Sequence, residues 1–450
     1  MFEPAAGSGH RMLNLHKILI VLLRPSVSIL APYGRYSGSR FCMHWTKNCG
    51  RSSVPVFWLA LGLGLLSAPA HGEVRLVGTA RLDGKGTDLS GLTEILEGGI
   101  PHNRMGGISA IEYTGKDDHY LLLPDRGPAD GATAYRCRFH ELKLVVAPGH
   151  LPAVAATLIS TTLLENESGD PLVGSISAIN RHDPAKGLRF DPEGIRADGK
   201  GKILISDEYG PSVFEFSPAG KRTQVLKVPS RFRIAYPAAV PAEETERNTS
   251  GRQVNGGLEG LAIIPDGTKL YAAMQRPLIQ DSRPGKTGKR VGTNTRIIEF
   301  DRARGTTREF LYPLDDTANG VSEILAVNAH QFLVLERDGR GGTDAQAKRI
   351  YKADLGEATD ISGLNALPAE GIPSGVIPAR KTPFIDLLAP EFGMAGSQFP
   401  EKIEGLAFGP DLPDGQRLLV VAVDNDFIAE KPVLLHAFAI DREDLPGFGW

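Results

Sequence analysis

Five times between Gly107 and Gly405 the chain repeats one phrase: a glycine-centred and usually acidic motif, an apolar strand, a turn, then a second apolar strand ending in charged or amide residues. The copies read Gly106-Gly107-Ile108-Ser109-Ala110, Pro192-Glu193-Gly194-Ile195, Leu258-Glu259-Gly260-Leu261-Ala262, Ser322-Glu323-Ile324-Leu325-Ala326 and Ile403-Glu404-Gly405-Leu406-Ala407. A theme that returns at this spacing is the mark of a stacked or radial architecture, because each unit buries its apolar faces only against its neighbours. Several turns between the first two strands carry Asp-Gly, at Asp198-Gly199, Asp266-Gly267 and Asp414-Gly415, and such pairs supply the positive φ of tight hairpins.

Further apolar strands follow each hairpin, as in Arg296 to Asp301, Arg308 to Tyr312 and Leu434 to Ile440. Three or four strands per copy, with 64 to 86 residues between anchors, fit the four-stranded blades of an all-β propeller rather than the shorter, more uniform turns of a solenoid. Five copies are visible, and a degenerate sixth has room in the two longest spacings, so five or six blades are expected. The last copy is short of an outer strand. The alternating stretch Glu73 to Leu82 is placed to supply it, closing the ring with an N-terminal strand. Two polar stretches, Arg231 to Val254 and Gln280 to Gly292, read as long surface loops.

The 450 residues are 41% hydrophobic and 23% charged, with 52 glycines, 32 prolines and a formal net charge of -3. That balance opposes a nucleic-acid surface, which needs a basic excess. Val54 to Leu66 is an apolar run preceded by Lys47 and Arg51 and followed by Ala68-Pro69-Ala70, the arrangement of a secretory signal peptide and too short for a comfortable membrane span. Met43 lies where a signal of normal length would begin. Residues 1–42 therefore read as an over-extended gene start, 43–70 as the signal, and 71–450 as one exported domain, periplasmic or secreted, with no stable membrane insertion after cleavage. Cys42 and Cys49 fall in the removed part, so the exported chain keeps one thiol, Cys137, and no internal disulfide.

In a hairpin the start of one strand and the end of the next share an edge, so the acidic motifs and the ends of the second strands converge on one mouth of the channel. One expected ring holds Glu193, Glu259, Glu323 and Glu404; another holds Asp125, Asp207, Gln275, Glu336 and Asp424; the next position adds Arg126, Glu208, Arg276, Arg337 and Asn425. Carboxylates crowded in this way raise one another's pKa unless cations intervene. A hard ion such as Ca²⁺, with six to eight oxygen ligands, is the expected cofactor, with Asp125, Asp207, Glu259, Glu336, Glu404 and Asp424 as candidate ligands. Asp207, Glu208, Glu193 and Glu336 are the candidate catalytic carboxylates. Arg126, Arg276 and Arg337 are candidate binders of a phosphorylated or ester substrate. The Glu-Gly pairs equally suit a purely architectural role, with Gly allowing close approach and Glu bonding neighbouring backbone. No Gly-x-Ser-x-Gly elbow and no His-x-His or His-Glu-x-x-His cluster occurs, so neither a serine hydrolase nor a zinc enzyme is indicated.

Gly106-Gly107-Ile108-Ser109-Ala110 with Leu122-Leu123-Pro124-Asp125-Arg126-Gly127, and Asp191-Pro192-Glu193-Gly194-Ile195 with Ser206-Asp207-Glu208-Tyr209-Gly210, resemble the phytase-like family, whose description is esterase-like activity of phytase. Asn255-Gly256-Gly257-Leu258-Glu259-Gly260-Leu261 and Leu335-Glu336-Arg337-Asp338 fit the same pattern. The resemblance covers nearly all of residues 75–445 and implies an exported hydrolase of phosphate esters. The Arg-His-Gly-x-Arg-x-Pro motif of the unrelated histidine-acid phytases is missing. A calcium-dependent lactonase or sugar-ester hydrolase and a non-enzymatic binding propeller are the alternatives.

Overall fold

In a computed structural model of the chain, the residues described are 74–286 and 288–450; the segments expected to be a signal peptide and an over-extended gene start lie outside them. Apart from one small ribbon, the strands form five four-stranded antiparallel sheets, and the first strand, β1 (Arg75–Leu82), belongs to the last of them. The first blade is β2 (Ile108–Tyr113), β3 (His119–Pro124), β4 (Arg138–Val146) and β5 (Val154–Leu163), and the second is β6 (Pro192–Ala197), β7 (Ile203–Asp207), β8 (Ser212–Phe216) and β9 (Arg222–Lys227). The third has β10 (Leu258–Ile263) and β11 (Lys269–Met274). A small ribbon of β12 (Arg283–Pro284) and β13 (Arg290–Val291) then interrupts it before β14 (Asn294–Asp301) and β15 (Thr306–Pro313). The fourth is β16 (Gly320–Ala326), β17 (Gln331–Arg337), β18 (Lys348–Asp354) and β19 (Arg380–Asp386). The fifth is β20 (Ile403–Phe408), β21 (Arg417–Val423) and β22 (Val433–Ile440), with β1 paired antiparallel to β22 as its outer strand.

The ring closes through its innermost strands, each packing on the next: β2 on β6, β6 on β10, β10 on β16, β16 on β20, and β20 back on β2. This is a five-bladed β-propeller. Each junction between blades holds its own apolar cluster. That explains why the strands read as continuous apolar runs: alternate side chains leave opposite faces of a strand, and both faces are covered. In β21, Leu418, Val420 and Ala422 enter the cluster shared with the first blade, while Leu419, Val421 and Val423 enter the one shared with the fourth. Of the two expected surface loops, 231–254 is more ordered than its polarity suggests. It contains a short helix (α1, Pro241–Arg247), buries Phe232 and Glu244, and ties Glu244 to Arg252 at 2.6 Å. The other loop, 280–292, carries the β12–β13 ribbon.

Candidate functional site

Every inner strand carries a β-bulge at the repeated motif, and the bulge decides which side chains face the mouth. The register shifts between Ile108 and Ala110, Pro192 and Ile195, Leu258 and Gly260, Val321 and Glu323, and Ile403 and Gly405. Ser109, Glu193, Glu259, Ser322 and Glu404 are therefore the equivalent bulge positions. Glycine follows the acid because the next blade presses on it. A Cβ on Gly194 would lie 2.7 Å from the Leu261 Cβ, one on Gly260 2.6 Å from the Ile324 nitrogen, and one on Gly405 2.8 Å from the Ile111 nitrogen.

Glu323 is thus displaced from the expected first ring. It occupies the glycine slot, fully buried, where its carboxylate accepts from the backbone N–H of Leu261 and Ile324 and pairs with Arg196 at 2.9 Å. Arg196 in turn donates to the carbonyls of Ile111, Ile195 and Ile324, on three different blades. The pair locks the inner strands together below the mouth. Burial, opposed by Arg196, lifts the Glu323 pKa to about 7.

The second ring shifts by one residue in two blades. Ile108, Pro192, Leu258, Val321 and Ile403 pair with Pro124, Asp207, Met274, Glu336 and Val423. The residues that follow, Asp125, Glu208, Gln275, Arg337 and Asp424, form the ring at the mouth. Side chains alternate, so a slip of one residue sends Asp207 and Glu336 to the other side of their strands. Asp207 caps the turn after β7, accepting from the N–H groups of Asp191, Tyr209 and Gly210 at 3.0 to 3.2 Å. Burial still lifts its pKa to about 6. Glu336 accepts from the Asp315 N–H and the Asn319 amide and pairs with Lys381 at 2.6 Å. Both carboxylates have their oxygens engaged in holding loops.

At the mouth, Glu193, Glu208 and Asp191 converge: one oxygen of each lies within 4.8 Å of the others, and all three residues are buried. Asp191, just before β6, was not among the site residues expected from sequence, although it opens the motif that carries the family resemblance. Arg126 is the cation shared by Asp191 and Glu208. It forms a very short ion pair with Asp191 and lies 3.4 Å from Glu208, with further bonds to Asp130 and Asn255. Burial, then the Asp191 charge, lifts the Glu208 pKa to about 8, although Arg126 opposes the rise. Glu193 is pushed well above the usual carboxylate range by burial and by Glu259 and Asp191. Burial, Glu208 and Glu404 do the same to Glu259, whose Oε1 accepts from Gln275 at 2.6 Å and whose buried Oε2 has no partner. Burial and the nearby Asp424 raise Asp125, whose carboxylate also caps the Gly127 N–H at 2.8 Å.

The remaining mouth carboxylates have their own cations. Glu404 pairs with Arg337, which also donates to Ser322 Oγ at 2.9 Å. Asp424 pairs with Lys402 at 3.1 Å, and Lys402 closely contacts Asp426. Although burial opposes it, Asp424, Asp125 and Glu404 keep Lys402 firmly protonated. Asn425 is structural: its Oδ1 accepts from the Gly107 N–H at 3.0 Å. Arg276 differs from all of these. Half-buried, it forms no ion pair and no hydrogen bond among the described residues. Burial and the neighbouring Arg337 draw its pKa down, while Glu259 and Glu208 support its charge.

The site therefore offers a set of oxygen donors suited to a hard divalent cation, an orphaned carboxylate oxygen, and a guanidinium without a partner. Asp191, Glu193 and Glu208 are the carboxylates whose oxygens cluster closely enough to hold one ion among the described residues. Of the six ligands expected from sequence, Asp207 and Glu336 are engaged elsewhere and Glu404 and Asp424 are paired, while Asp125 and Glu259 lie outside that trio.

Fold and site together define a five-bladed propeller with an acid-rich mouth. The family profile described as "Phytase-like: Esterase-like activity of phytase" matches residues 103–427, and the chain belongs to that family. An "Uncharacterized secreted protein" of Arthroderma benhamiae is 27% identical over 401 residues, covering 68% of this chain and 78% of its own. Among solved structures, the tail fiber of Staphylococcus aureus phage P68 is similar at 12% identity and a TM-score of 0.38; the match covers 84% of this chain and 54% of that one. A luciferin-regenerating enzyme is similar at 9% identity and a TM-score of 0.34, over 75% of this chain and 94% of that one. No helix among the described residues is long and apolar enough to cross a membrane.

Proposed function

We propose that the chain is an exported hydrolase of phosphate esters, assisted by a divalent cation, most simply calcium, held by Asp191, Glu193 and Glu208. The family membership and the secreted relative support the hydrolase and export readings. The observation that carries the phosphate reading is Arg276, a cation without a partner beside carboxyls that have too few. When bound, the cation supplies charge neutralisation for phosphoryl oxygens and lowers the pKa of water. Arg276 grips the same oxygens through its planar fork of N–H donors. Glu259 enters the reaction protonated, as its burial and acidic neighbours favour. As water oxygen bonds to phosphorus and the ester P–O bond breaks, Glu259 gives its proton to the leaving oxygen. It regains one from the attacking water, so the products are an alcohol and phosphate.

The test is phosphate release from phytate and from simple phosphate monoesters and diesters by the purified exported chain, with lactones run in parallel. Release that falls at least ~100-fold in Glu259→Gln, the scale expected for losing an acid–base group, supports the reading. Turnover of lactones alone, or of no ester, contradicts it.

A further inference from the structure

A second concavity of about 350 Å³ opens beside the second blade, between the 181–184 turn and the ordered 231–254 segment. It borders the mouth through Tyr209, the residue after Glu208, but its chemistry is the reverse. Arg181, Lys227 and Arg233 line it, all exposed, and none has an ion pair or side-chain hydrogen bond among the described residues. Asp183 is the one acid in the lining, and its carboxylate is already 3.7 Å from Lys186. Ser212 and Ser230 add hydroxyls.

An independent observation lies beneath this wall. Arg189 is 8% exposed, yet no carboxylate comes within ion-pair distance of it. Its guanidinium stacks 3.3 Å over the Tyr209 ring, one nitrogen donates to the Ala238 carbonyl at 3.2 Å, and its buried Nε has no partner. A narrow recess lined by Arg189 shares Pro184, Tyr209, Gly210 and Pro237 with the larger cavity. A buried guanidinium without a counter-ion is unfavourable, and cations gathered around one hollow repel each other. The chain carries net negative charge overall, so this local excess is not a consequence of composition.

We propose that this cavity is a binding site for a small ligand with several anionic oxygens, separate from the mouth and independent of the hydrolase reading. Arg181, Lys227 and Arg233 supply the charge, the serine hydroxyls add donors, and Arg189 makes the floor positive. Clustered cations of this kind bind phosphate groups and carboxylate groups by the same charge-assisted hydrogen bonds.

The experiment is calorimetric titration of the Arg276→Ala chain, which lacks the mouth's unpaired guanidinium, with tripolyphosphate and with citrate at fixed ionic strength. Saturable binding that weakens at least about tenfold in Lys227→Ala/Arg233→Ala, and is retained in the charge-preserving Lys227→Arg/Arg233→Lys, is expected. Binding of tripolyphosphate alone identifies a phosphate site, and equal binding of citrate identifies a general polyanion site. Absence of saturable binding, or equal affinity in all variants, overturns the proposal. Both residues are exposed, so an unchanged melting temperature will show that the variants fold.

Discussion

Two sides of one mouth treat the same kind of residue differently. On the fourth and fifth blades each mouth carboxylate has a cation of its own: Glu404 has Arg337, and Asp424 has Lys402. Across the mouth, on the second and third blades, Asp191 and Glu208 share Arg126, Glu193 has no ion pair among the described residues, and Glu259 has only an amide. Equivalent positions in repeated blades could have been solved in the same way. The paired side shows that this fold can neutralise its own acids, so the unpaired side is where charge is left for something else to satisfy. On the function proposed above, stability and function are divided between the two sides of one ring.

The largest effect that sharpens this contrast is on stability. Lys402→Ala strands Asp424 beside Asp125, and about 3 kcal/mol should be lost, the low end for a broken buried pair because Lys402 stays a quarter exposed. Arg276→Ala breaks no pair and should move stability by less than ~0.5 kcal/mol. Urea unfolding midpoints read both, and equal losses would erase the distinction between the sides.

The pH profile is the next test. Glu208 has its pKa raised from 4.5 to about 8 by burial and Asp191, so the folded chain keeps a proton that the unfolded chain releases. Its contribution is complete below about pH 4.5 and disappears as pH rises towards 8. Removing it in Glu208→Gln should change the slope of unfolding free energy by about 1.4 kcal/mol per pH unit in that window. Parallel curves for the variant and the natural chain would show that Glu208 titrates normally. The smallest effect is Asp207→Asn, which keeps one acceptor oxygen but loses the other. About 1 kcal/mol of stability should go, with ester turnover unchanged. A large drop in turnover would return Asp207 to the site.

The propeller was legible because its causes are periodic: Asp-Gly turns, apolar strands covered on both faces, and an N-terminal strand patterned like the missing edge. Register was harder to read. The bulge makes Ser322, not Glu323, the counterpart of Glu259, and it sets Glu208 and Arg337 where Asp207 and Glu336 were expected. In the fourth copy Ser322-Glu323 takes the place of Glu-Gly, so a missing glycine was the visible sign that this acid sits one position later. Asp191 lies before its strand, in a position that the repeat fills with Gly107, Gly257, Gly320 and Lys402, so no recurrence drew attention to it. The charge balance of each acid depends on partners far away in sequence, such as Arg126 with Asp191, and no local pattern encodes it.

Calcium titration by calorimetry, comparing Glu193→Gln with Asp424→Asn, tests the division most directly. Glu193→Gln should weaken binding at least ~30-fold, on the scale of losing one buried charged ligand, while Asp424→Asn should keep the natural affinity. Binding to the natural chain at pH 7 should also release protons, seen as a heat that varies with the ionisation enthalpy of the buffer, because Glu193 and Glu208 must give them up. Affinity lost in Asp424→Asn and kept in Glu193→Gln would place the cation on the paired side and contradict the account.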